Sequence, residues 1–306
     1  MSKGLKRALI SLVAIGTLIS AIMMACGRPS DDPNATPDPN AIPDPNATPE
    51  PTPTPIACPT GYIPVPPLAP FTTEPFCVAK YEMKESVINP NALIPSIPVS
   101  QPSGKPWLLN RNEAINACEN VGNGYSLITN NEWMTIARNI EQVAENWSDR
   151  EVGVGELNRG HFDNKPWGTL EASPDDNEAC YGTDNRCSAS HWLPERRTHR
   201  LSNGEVIWDF AGNASEWLRE TIHHPGADKT TLEFPELDPE GQARFGPTDP
   251  TWGSWKGVGV IYGAEFKGVR RGGVYNGGLH AGIYAIDFGF PSDKLSGFRC
   301  IYKPPK

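Results

Sequence analysis

The chain has 306 residues, with 32 prolines, 29 glycines and nine tryptophans, a composition that favours loops around bulky core residues over long helices. Its formal charge of −9, without a basic stripe, speaks against nucleic acid as a partner. A hydrophobic content of 38% suffices for a real core in one large domain or two small ones.

The first predicted element is a leader. Lys3, Lys6 and Arg7 precede an apolar run over residues 8–25, which ends Met23-Met24-Ala25-Cys26. A basic start, an apolar stretch and a small residue before cysteine resemble a bacterial lipoprotein signal, with residues 1–25 removed and Cys26 lipidated. The alternative is an uncleaved anchor, since about 18 apolar residues nearly span a bilayer. The residues after Cys26 favour the lipoprotein. Over residues 26–56 the unit Asp-Pro-Asn-Ala-Thr/Ile-Pro starts at Asp32, Asp38 and Asp44 and gives way to Thr-Pro pairs. Closely spaced proline favours polyproline II, a semi-rigid tether reaching up to ~90 Å. With Gly27 and not Asp after the cysteine, the expected location is the bacterial cell envelope, lipid-anchored on the outer membrane and surface-exposed. The anchor is the expected membrane contact.

The folded part is expected over residues 57–306. Residues 76–83 alternate like a first strand, and residues 84–106 are irregular and proline-rich. Asn110 or Asn112 caps a helix through Val121, which Gly122 and Gly124 stop. Thr129 or Asn130 caps a second helix through Val143, with Trp133, Ile136, Ile140 and Val143 on one core-facing side. Residues 146–200 hold little regular structure, and Asp175-Asp176 reads as a solvated loop. His161, His191 and His199 are too far apart to form a metal motif. Asp209 and Glu216 bracket a Gly-Asn turn, where two carboxylates and turn carbonyls suit Ca²⁺ better than a transition metal. Residues 223–256 return to loop composition, with His223-His224 a solvated pair, and residues 258–266 form a short strand.

The closing stretch begins Arg270-Arg271-Gly272-Gly273 and ends Gly297-Phe298-Arg299-Cys300. A double glycine permits positive φ, so a strand enters a long shaped surface segment that a final strand pins to the core. Without Cys26, six of the seven cysteines remain, an even set that fits an oxidising compartment. Six cysteines allow 15 pairings. Cys58 with Cys77 would staple the start of the folded part, and Cys180 with Cys187 would close a local loop. No CxxC spacing suggests zinc.

The strand at 76–83, Asn-Glu-Ala-Ile-Asn-Ala-Cys at 112–118, Tyr-Ser-Leu-Ile-Thr-Asn-Asn-Glu-Trp at 125–133, Gly-Asn-Ala-Ser-Glu-Trp at 212–217, Arg-Gly-Gly at 271–273 and Gly-Phe-Arg-Cys at 297–300 stand in a telling order. In that order and spacing they resemble the formylglycine-generating-enzyme (sulfatase-modifying factor) family. The resemblance implies an α+β, C-type lectin-like fold: a twisted antiparallel sheet, two helices and long stabilised loops. It implies a Cys118–Cys300 disulfide. It also implies structural calcium on the Asp209 and Glu216 side chains and the Gly212 and Ala214 carbonyls.

The family's oxidase chemistry is not expected here. Its two copper-binding cysteines align with Gly277 and Gly282, and glycine has no thiolate to offer. Neither copper nor the iron site of the related sulfoxide synthases is expected. The last thirty residues resemble instead the variable region of target proteins of diversity-generating retroelements, which vary a binding face on a rigid lectin-like scaffold. The expected ligand-binding residues are Tyr275, Gly277, Leu279, His280, Ile283, Ala285, Asp287, Gly289 and Phe290, all reachable by adenine-directed change of Asn codons. A template repeat beside a reverse transcriptase would be the genetic mark of that system. The expected partner is a protein or glycan at a cell surface. The alternatives are an enzyme of the family with altered chemistry and a purely structural envelope lipoprotein.

Overall fold

Asn110 and Thr129 start the first two helices for a local reason. Each side chain accepts the N–H of the glutamate three residues on, Glu113 or Glu132, and that glutamate accepts the cap residue's N–H in return. Helix α1 is Arg111–Val121 and α2 is Asn130–Glu141. The second ends before Val143, which leaves helical geometry and leads into a 3₁₀ turn at Ala144–Asn146. Trp133, Ile136 and Ile140 are fully buried as expected, whereas Val143 is half-buried. A third helix, α3 (Pro239–Phe245), lies where only loop was expected. Asp238 caps it through the Gly241 N–H, and Pro239 occupies its first turn, where no backbone donor is needed.

The computed structural model describes residues 56–86, 96–223, 225, 230–263 and 268–305. The leader, Cys26, the tether up to residue 55, residues 87–95, His224 and the end of the expected 258–266 strand lie outside them. Contacts gather Pro53–Lys306 into one unit. It is α+β, with three α-helices among the described residues and largely antiparallel pairing.

An antiparallel sheet of four strands takes the order Tyr62–Val65, Phe76–Ala79, Cys300–Tyr302, Tyr125–Leu127. The final strand thus lies between the first two strands and the one joining α1 to α2. The expected 76–83 strand breaks after Ala79, where the Lys80 N–H turns to the Gly61 carbonyl, and resumes as Met83–Glu85 paired with Pro98–Ser100. A six-stranded sheet runs Gly297–Phe298, Glu216–Trp217, Gly268–Arg271, Ile286–Gly289, Ile261–Tyr262, Thr231–Leu232. One hydrophobic cluster joins both sheets to α2 through Val78, Ile301, Val269, Ile286, Trp133 and Ile140. A second packs α1 through Ala114, Ala117 and Cys118 against Leu127, Trp217 and Phe298.

Three disulfides form: Cys58–Cys77, Cys118–Cys300 and Cys180–Cys187. The last two cysteines close a short loop, and the middle bridge ties α1 to the final strand.

The long segment 146–200 is ordered by buried polar side chains in place of regular structure. Arg196 donates to Asn146 and Asn158, which themselves donate to backbone carbonyls at Ile140, Arg200 and Thr198. His199 is sealed in this layer, its Nε2 against the Asn158 carbonyl and its Nδ1 without a partner among the described residues. Burial lowers its pKa to about 3, so the folded protein holds it neutral. The unfolded chain protonates it near pH 6.5. Its contribution is therefore complete above pH 6.5 and is lost as pH falls towards 3, by roughly 5 kcal/mol in all. His199→Gln is expected to flatten the acid side of the stability profile by that order. Urea unfolding of both proteins between pH 7 and 4 reads the difference, and parallel profiles would refute it.

Candidate functional site

The strand Gly268–Arg271 delivers the closing stretch to the surface, and Arg271 anchors it. Its guanidinium is fully buried and donates to the Tyr284 carbonyl at 2.9 Å and to the Asn130 side chain. Burial lowers its pKa to about 9. Gly272 and Gly273 follow at φ of 86° and 83°. A Cβ on Gly273 would lie 2.6 Å from Ala281 Cα, so only glycine lets the chain fold back this tightly. The segment then crosses the surface through a 3₁₀ turn, Gly278–His280, and dives inward.

That path splits the nine expected contact residues. Leu279, His280 and Phe290 are exposed, and Tyr275, Gly277 and Asp287 keep part of their surface. Ile283, Ala285 and Gly289 are buried and leave the contact set. The reason is packing. Residues 281–286 run beneath the turn, where the Ile283 carbonyl accepts the Trp133 indole N–H at 2.7 Å. Gly289 backs onto Arg270, whose Nη2 would stand 2.3 Å from a Cβ there.

Three aromatic residues outside the closing stretch join the face. The Tyr262 ring is 5.0 Å from His280, and the Trp167 ring meets Tyr275 edge-on at 6.5 Å. Trp255, 58% exposed, sits on the 3₁₀ turn Ser254–Lys256, which lies beside Gly278–His280. For Trp167 and Trp255 the one signal in the sequence is a large ring set among Gly, Pro and polar residues, whereas Tyr262 lies in the expected 258–266 strand and carried no signal of its own. Beneath them Asp287 pairs with Arg270 at 2.6 Å, directly across the strand pair. Burial raises the Asp287 pKa, and Arg270 and then His280 oppose the rise. The face can therefore offer rigid apolar area over an Arg270–Asp287 ion pair.

The two glycines aligned with the oxidase cysteines differ in setting. Gly277 is half-buried at the start of the turn. At Gly282 a Cβ would lie 2.3 Å from the Val258 carbonyl carbon and 2.4 Å from the Gly259 nitrogen, so no side chain fits without backbone movement.

The two carboxylates assigned to calcium are already partnered. Asp209 is clasped by Arg197 at 2.8 and 2.7 Å, and Glu216 by Arg299 at 2.6 to 3.2 Å. All four side chains are essentially unexposed. The Gly212 N–H donates to the Gly272 carbonyl and the Ala214 N–H to Glu82. A calcium site needs six to eight oxygens turned towards the ion. Here guanidinium groups already occupy both carboxylates, so the Asp209 and Glu216 side chains do not fit that cage, which leaves the Gly212 and Ala214 carbonyls as its remaining expected donors. Among the described residues, no group of three or more His, Cys, Asp or Glu side chains suits a metal ion. Glu82 and Lys84, which complete this buried ionic cluster, carried no signal in the sequence beyond a charge on each side of Met83.

In comparison with known proteins, no family model matches the chain and no curated protein matches it.

Proposed function

We propose that this protein is a surface-anchored lipoprotein whose folded unit, of the C-type lectin-like formylglycine-generating-enzyme type, displays a ligand-binding face on its closing stretch. The observation that carries the reading is the division within that stretch. Arg271, Phe298, Arg299 and Cys300 are buried anchors, while Tyr275, Leu279, His280 and Phe290 keep their side chains at the surface. Such a division suits residues that vary in type over a scaffold that does not, as in a retroelement-diversified protein. The bridge from α1 to the last strand is consistent with the lectin-like reading. Oxidase chemistry is not part of the proposal, because restoring a cysteine at 282 would collide with the 257–259 backbone.

Rings with a rigid apolar body and a polar tip give contact area at small entropic cost. The face combines Tyr275, Tyr262, Trp167 and His280 in that way, and the partner is a protein or glycan at a cell surface. Combined Tyr275→Ala, Leu279→Ala and His280→Ala substitution is expected to weaken partner retention at least ~100-fold. The melting temperature should move by less than about 2 °C, since none of the three is a core residue. Asp287 is left intact because removing it would strand Arg270. The check is retention of bacterial-surface and host extracts on immobilised protein, with parallel calorimetry. Unfolding of the variant, or retention equal to the parent, would refute the face. A parent protein that retains nothing would favour the structural-lipoprotein reading.

A further inference from the structure

The turn at residues 209–216 sits in a buried ionic cluster that the ligand face does not use. Three carboxylates, Glu82, Asp209 and Glu216, are at most 2% exposed, and so are three cations, Lys84, Arg197 and Arg299. Arg197 and Arg299 each clasp one carboxylate. Glu82 accepts the Asn213 side-chain amide and the Ala214 N–H, so it holds the turn itself. Lys84 lies two residues further along, and its ammonium has no hydrogen-bond partner among the described residues. It contributes charge and not a directed bond.

Isolated ions are costly in a low-dielectric interior, and removing one member of a balanced set leaves an uncompensated charge. Asp209 is paired with Arg197 and Glu216 with Arg299, and buried Lys84, two residues from Glu82, leaves three buried cations to balance three buried carboxylates. We infer that Lys84 fills the electrostatic role of a structural cation at this turn, so that the domain holds it closed without calcium. A divalent ion added here would face two guanidinium groups and an ammonium, with no carboxylate left unclaimed.

The test uses the purified protein, dialysed against EDTA and then titrated with calcium chloride. Its melting temperature is expected to move by less than about 1 °C in either step, because an ion that does not bind the native state cannot stabilise it. A fall of several degrees in EDTA, or stoichiometric calcium by elemental analysis, would overturn the inference. A second measurement concerns Lys84 directly. Lys84→Met is expected to lower the melting temperature by about 10 °C, and adding Glu82→Gln to recover at least half of that. Gln keeps an acceptor for the Ala214 N–H while removing the charge. If Lys84→Met does not fold, the double variant should still do so. Losses that merely add would show that Lys84 is not the counter-charge.

Discussion

Replacing Cys118 and Cys300 together with alanine is expected to cost about 5 kcal/mol, roughly twice the loss from the same change at Cys180 and Cys187. The bridges differ in what they deny the unfolded chain. Cys118 and Cys300 are 182 residues apart in sequence, whereas Cys180 and Cys187 are 7 apart. A cross-link restricts the unfolded ensemble more as the loop it closes lengthens. Both sulfurs of the long bridge are buried between α1 and the final strand, so alanine also leaves unfilled volume in the second core cluster. Because the final strand completes the four-stranded sheet, the loss should be global, with one cooperative transition at lower urea. Urea midpoints for the two double variants, at unchanged slope, measure the contrast. Equal losses would mean that loop entropy does not set the difference between the bridges.

Arg299→Met should be nearly as damaging, at about 3–5 kcal/mol, because it strands Glu216 in the core. Arg299 also donates to the Ala79 carbonyl at 2.8 Å and the Trp208 carbonyl at 2.9 Å, so one guanidinium joins the four-stranded sheet to the segment before the turn. Arg299→Lys is expected to recover less than half of the loss. A lysine ammonium is a point charge and cannot hold a carboxylate and two carbonyls in one plane. Adding Glu216→Gln to Arg299→Met should cost less than the two separate losses combined. Thermal unfolding of the set tests this; Arg299→Lys matching the parent would show that charge alone matters.

The elements legible beforehand are those whose causes lie within a few residues. The capping boxes at Asn110 and Thr129 span three residues, and both helices form where they signal. The Trp133, Ile136 and Ile140 stripe follows from helical period alone. The Cys180–Cys187 bridge is local in the same sense, while the Cys118–Cys300 pairing came from a family resemblance and not from spacing. Helix α3 was hidden because Pro239 and Gly241 read as loop residues until Asp238 is seen to cap them.

By itself the sequence determined two capped helices, a proline-rich stretch over residues 28–55, a cysteine set able to form three bridges and a glycine-framed closing stretch, and its family resemblance implied the α+β class. Only the tertiary structure decided which residues of that stretch face outward. Residues 281–286 resemble their neighbours in composition, but they pass under the turn, and that path depends on Arg271 reaching Asn130 and Trp133 reaching the Ile283 carbonyl. The same holds for Asp209 and Glu216. A motif displays their carboxylates, but it does not show their counter-ions: Arg197 comes across the adjacent hairpin and Arg299 from the far end of the chain. Burial and charge pairing are properties of the assembled chain, because each is set by neighbours that sequence order does not name.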